Sequence, residues 1–165
     1  MDFQIGDTVI HSSHGLAEIV GLEQKAVASG DVQFYVVRTK DLTIWVPSAE
    51  SGKGTLRRPA EKKQFIDLLS ILRGTIDPLS VDRMERKTQL QTRMHEGNSG
   101  AICRLVRDLS FFRLTNKLNE NDSAMLERAM SSLLDEWQYA LAIPLPEAKS
   151  ELKHILEVSF QVLAV

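Results

Sequence analysis

Hydrophobic residues in this 165-residue chain keep one period up to about Pro59 and a different one beyond it. Before that point, short apolar runs rich in Val, Ile, Tyr and Phe are broken every few residues by Gly, Asp, Ser or Pro. That pattern is written by strands joined through tight turns. After it, apolar residues recur three and four apart over long stretches, as on one face of a helix. A single chain with this switch folds as α+β with segregated halves. The expected division is residues 1–58 as a small β-barrel of four or five strands and 59–165 as an all-helical domain of about five helices.

Within the first half, Phe3 to Leu22 reads FQIGDTVIHSSHGLAEIVGL and forms the opening hairpin. Ile5, Val9 and Ile10 supply the first strand; Leu16, Ile19, Val20 and Leu22 begin the second. Gly15 is the expected pivot, because a tight connection needs a positive φ that glycine adopts at little cost. A turn at Ser29-Gly30-Asp31 leads into VQFYVVRTK, and Asp41-Leu42 leads into TIWVP. Pro47 stops that strand, since it cannot donate to a ladder. TLRRP adds a short fifth strand.

In the second half, Phe65, Leu68, Leu69 and Leu72 mark a helix ended by Gly74. Ser80-Val81-Asp82 caps a long helix through about Glu96, closed by Gly97. Asn98-Ser99 caps a third, with Ile102, Leu105, Val106, Leu109 and Phe112 along one side. Asn119 to Asp122 caps a fourth, striped by Met125, Leu126, Ala129, Leu133, Leu134 and Trp137. Pro144 and Pro146 precede a fifth, with Ala148, Leu152, Ile155 and Leu156 inward.

Catalysis finds little support. His11 and His14 share one loop with Ser12 and Ser13, but no cysteine or acidic cluster completes a triad or a zinc site there. Gly52-Lys53-Gly54-Thr55 lacks the preceding glycine of a phosphate loop. Cys103, the single cysteine, rules out an internal disulfide and falls inside a helical pattern, as a buried thiol does. The chain is therefore expected not to be an enzyme, with no cofactor, metal or small-molecule substrate. The amino terminus lacks a signal-peptide pattern, and no apolar run approaches membrane-spanning length. A cytoplasmic protein without a membrane partner is the expectation.

Net charge is −2 at pH 7, but the charge is unevenly spread. Arg83 to Lys117 carries eight basic residues against three acidic, whereas Leu118 to Val165 carries three against eight. The basic members are Arg83, Arg86, Lys87, Arg93, Arg104, Arg107, Arg113 and Lys117. On the third helix, Arg104 and Arg107 are spaced one turn apart, away from the Leu105/Leu109/Phe112 stripe. Such a density can neutralise backbone phosphates. Charge runs on helices are more often solvated faces with intrahelical pairs, and by the residues alone that reading outweighs nucleic-acid binding. In TIWVP, alternation puts Leu42, Ile44 and Val46 on one face. Trp45 then falls on the outer face, with burial in the barrel as the alternative. Arg38 and Lys40 end the preceding strand near it, the composition of a protein-binding hot spot.

The segments IGDTVIHSSHGLAEIVGL, DLTIWVP and GTLRRP resemble the amino-terminal module of the CarD/CdnL family of bacterial transcription regulators, a module shared with transcription-repair coupling factors. RLVRDL at Arg104 to Leu109 is similar to that family's DNA-side helix. The resemblance implies a Tudor-like barrel docking on the β subunit of RNA polymerase by strand-like pairing. Lys25, Arg38, Lys40, Trp45 and Pro47 are the residues placed at that contact, although many members carry a basic or small apolar residue where Trp45 stands. It implies promoter DNA as the second partner, met at phosphates and the minor groove by Arg83, Met84, Arg86, Lys87, Arg104 and Arg107. Family members that wedge a tryptophan into the minor groove place it at the position of Arg83, with Met84 alongside; neither is a large aromatic. The function implied is stabilisation of the open promoter complex near the upstream edge of the bubble, with nucleoid association through the polymerase. The alternative is a polymerase- or protein-binding adaptor without productive DNA contact.

Overall fold

A computed structural model describes residues 2–163. Two compact units divide between Pro59 and Ala60. The first contains five strands, β1 (Thr8–His11), β2 (Gly15–Val27), β3 (Gly30–Arg38), β4 (Thr43–Pro47) and β5 (Leu56–Arg57), with a 3₁₀ segment at Ser48–Lys53. They form one antiparallel sheet in the order β4-β3-β2-β1-β5. The second contains five helices, α1 (Lys62–Leu72), α2 (Arg83–Glu96), α3 (Ser99–Phe112), α4 (Glu120–Leu141) and α5 (Leu145–Leu163). This is the α+β arrangement expected from the change of period, with a Tudor-like sheet first and helices after it.

Gly15 takes φ 74° at the β1–β2 connection, the left-handed conformation that the tight return demands. Phe3, Val9, Ala17, Ile19, Tyr35, Val37, Val46 and Leu56 make the core of this unit. The Tyr35 hydroxyl accepts from the Phe3 amide at 3.1 Å, so the one polar atom of that core ring is satisfied. Two details differ from the reading of the sequence. Ile5 stands exposed in the turn before β1 rather than in the strand, because Gly6-Asp7 turns the chain where Asp7 accepts from the Gln4 amide. β2 runs through Val27, with a register shift between Ile19 and Gly21. That bulge reverses the alternation, so Ala17 and Ile19 face inward while Glu23 and Lys25, also odd-numbered, face out.

Helix ends carry the caps their residues favour. Asp82, Asn98 and Asn119 each accept from a backbone amide three residues on, and Gln64 returns to the Glu61 amide. Gly97 ends α2 at φ 64°. α3 packs against each of the other four helices. It is therefore buried almost all round, from Ala101 to Cys103 and from Leu105 to Ser110. Phe65 and Trp137 close the α1–α4 contact with ring centroids 5.5 Å apart, both fully buried. Each such side chain contributes about 2–3 kcal/mol on burial.

Candidate protein- and DNA-binding surfaces

The sheet pairs fix which side chains share the outer face of the first unit. Arg38 lies opposite Glu18 and Thr43, Val36 opposite Gly21 and Trp45, Phe34 opposite Glu23 and Pro47, and Val32 opposite Lys25. With Tyr35, Val37 and Val46 inward, the intervening residues point outward. Trp45 is 44% exposed on β4, an edge strand. Its indole N–H donates to Glu23 Oε2 at 2.8 Å, and Lys25 Nζ stands 4.7 Å from its ring centroid. Lys25 is also 3.8 Å from Glu23 and 5.9 Å from the Phe34 ring. Arg38 pairs with Glu18 at 2.9 Å, and Lys40 lies exposed in the β3–β4 turn. The structure thus brings Lys25, Arg38, Trp45 and Pro47 to one face and leaves Lys40 at its end. Reading the sequence missed Glu23 and Phe34 here. The bulge that puts Glu23 and Lys25 beside Trp45 has no signal stronger than Val20-Gly21.

The basic residues of the second unit separate into two groups. Arg86, 5% exposed, reaches Asp122 through Nε at 3.1 Å and a terminal nitrogen at 2.9 Å. Its other terminal nitrogen donates to the carbonyls of Ser80 and Val81, and the guanidinium lies 4.7 Å from the Phe112 ring centroid. Arg107, also 5% exposed, donates to Asp108 at 2.7 Å and to the Ile71 carbonyl at 3.0 Å, capping the end of α1. Asp108 is buried and further accepts from Arg93 at 2.7 Å and from the Asp77 amide at 3.1 Å. The expectation that Arg86 and Arg107 are surface cations is therefore corrected. Each is a buried tie between segments: Arg86 holds α2 to Asp122 of α4 and Phe112 of α3, and Arg107 holds α3 to the end of α1. The sequence shows one apolar stripe on α3 but not the helices covering its polar side.

Arg83, Met84 and Lys87 remain exposed on α2. They line a shallow recess of about 420 Å³ with Asn119, Glu120 and Asn121. Met84 is 65% exposed, and Val81, just before the helix, is 81% exposed. Sequence reading missed Val81 because a lone valine before a cap carries no periodic signal. Arg104 is half-exposed and pairs with Glu96 at 3.0 Å. Phe111 packs edge-on against Phe160, at 5.4 Å between centroids.

His11 and His14 stand together in the first unit, with ring centroids 4.9 Å apart. His11 is buried and accepts the Ser13 amide at 3.0 Å. Burial, then the neighbouring His14, lowers its pKa to about 4. Among the described residues, no group of three or more His, Cys, Asp or Glu is placed to hold a metal ion. No described helix is long and apolar enough to cross a membrane.

Two family models match the chain in order. The CarD-like/TRCF RID domain covers residues 3–60, and the CarD C-terminal domain covers residues 67–153. The first match covers the first unit and ends one residue beyond it, and the second lies within the second unit. With the sheet unit matching a polymerase-interacting module and the helical unit matching the domain that follows it in CarD, the chain belongs to the CarD/CdnL family of RNA polymerase-interacting transcription factors.

Proposed function

We propose that the sheet unit docks on the polymerase β subunit through the outer face and free edge of β4. The helical unit then meets promoter DNA at the amino-terminal tip of α2 and stabilises the open complex. The observation that carries this reading is Trp45, projecting from an edge strand beside Lys25 within the stretch that matches the polymerase-interacting domain. An edge strand offers backbone pairing to an extended segment, and an exposed indole beside it supplies a hot-spot side chain. At α2, Val81 and Met84 are an apolar pair flanked by the cations Arg83 and Lys87. That combination suits an unstacked, phosphate-lined junction better than a closed duplex. The factor shifts the promoter equilibrium only as far as its affinities for open and closed states differ, about 1.4 kcal/mol for each tenfold difference.

Binding of the full-length chain to purified bacterial RNA polymerase, wild type against Trp45→Ala, tests the docking step. Loss of binding in the variant supports it, and equal binding refutes it. The adaptor reading is favoured by the internal engagement of Arg86, Arg93 and Arg107, which withdraws three cations from any DNA surface. It predicts polymerase binding with no change in promoter opening.

A further inference from the structure

Trp45 is not held by β4 alone. The bulge between Ile19 and Gly21 turns Glu23 and Lys25 to the outer face, where the register sets Glu23 across from Phe34 and Pro47. One carboxylate oxygen, Glu23 Oε2, accepts the indole N–H at 2.8 Å and lies 3.8 Å from Lys25 Nζ. Lys25 is in turn positioned over the ring at 4.7 Å. A tryptophan on an exposed edge otherwise samples several rotamers, and freezing it on binding costs affinity. Here a charge-assisted hydrogen bond and a cation–π contact have fixed it beforehand.

We infer that Glu23 is a positioning residue for docking, fixing the Trp45 indole and Lys25 in the arrangement a partner meets. This rests on the reading that the outer face of β4 docks on the polymerase. It also sets the chemistry of the partner. With the indole N–H taken by Glu23 and a ring face taken by Lys25, what Trp45 offers is apolar ring surface, continued by the half-buried Phe34 and Pro47. The segment that docks beside β4 is therefore an extended strand presenting an apolar side chain to the indole, not a hydrogen-bond acceptor for it.

The test titrates amino-terminally labelled full-length chain with purified RNA polymerase, comparing Glu23→Ala, Trp45→Ala, Trp45→Phe and the Glu23→Ala/Trp45→Phe pair. Glu23→Ala should weaken binding about three- to tenfold, the range of one ordinary hydrogen bond at a solvent-exposed site. In the Trp45→Phe background, which has no indole N–H, the same change should cost less than about twofold. In ¹H–¹⁵N spectra of the free chain, Glu23→Ala should speed solvent exchange of the Trp45 indole proton while the backbone pattern is retained, which shows that the unit still folds. An equal loss in both backgrounds would make Glu23 a direct partner contact and overturn the inference. So would unchanged affinity or unchanged indole exchange in Glu23→Ala while Trp45→Ala abolishes binding, with the docking reading left standing. Full binding by Trp45→Ala would overturn both.

Discussion

Replacing Arg86 by methionine separates a structural arginine from a DNA-binding one. The guanidinium is 5% exposed, makes a forked pair with Asp122, donates to the Ser80 and Val81 carbonyls and stacks on Phe112. Arg86→Met leaves Asp122 as a buried carboxylate, still accepting the Asn119 amide at 3.1 Å but without its counter-charge. Breaking a buried pair from one side costs about 3–5 kcal/mol, a large share of the stability of a domain this size. Urea unfolding followed by helical circular dichroism should show a loss in that range. Removing both charges with Arg86→Met/Asp122→Leu should recover most of it. Under conditions where the single variant stays folded, the dependence of promoter-DNA affinity on salt should keep its wild-type slope. By contrast, Arg83→Gln and Lys87→Gln should each reduce the slope by about 0.9. A cost below about 1 kcal/mol, or a slope reduced by about 0.9 in Arg86→Met, would refute the assignment of Arg86 to the interior.

Three further outcomes follow from local features. Ala142 ends α4 at φ 52°, a left-handed conformation that costs a side-chain-bearing residue about 1 kcal/mol; Ala142→Gly should raise the melting temperature of the helical unit by about 4 °C. His11, with its pKa lowered to about 4, is protonated in the unfolded chain before the folded one. Stability should thus fall as pH drops from about 6.5 toward 4, by about 1–2 kcal/mol after allowance for partial solvent access. His11→Gln should flatten that interval in a pH series of urea midpoints. Val81→Glu, at an 81% exposed position, should change stability by less than about 0.5 kcal/mol yet reduce promoter opening, as read by a fluorescent base in the bubble.

The fold was legible where local chemistry decides it. Caps at Asp82, Asn98 and Asn119, glycines at 15 and 97, and the apolar stripes of α1, α4 and α5 all act within a few residues. Reading failed where a distant neighbour decides. Arg107 and Asp108 look like a solvated pair in RLVRDL, but Asp77, Arg93 and Ile71 close over them from other segments. Arg86 looks like any helical arginine until Asp122, 36 residues on, is placed against it. On the sheet, alternation favoured the outer face for Trp45 but left burial open, and the structure has it 44% exposed. The bulge that brings Glu23 beside it depends on how β2 meets β3, and no local propensity records it.

Promoter opening by purified RNA polymerase, measured with and without the full-length chain, tests most directly whether one factor joins polymerase to the DNA bubble. Wild type, Trp45→Ala and the Arg83→Gln/Lys87→Gln pair are compared at equal concentration. The open fraction should rise with wild type. It should stay at the polymerase-alone level with Trp45→Ala, which cannot dock. With the α2 pair it should rise less than with wild type, although that variant still binds polymerase. A wild-type chain that binds polymerase but leaves the open fraction unchanged would contradict the reading and leave an adaptor.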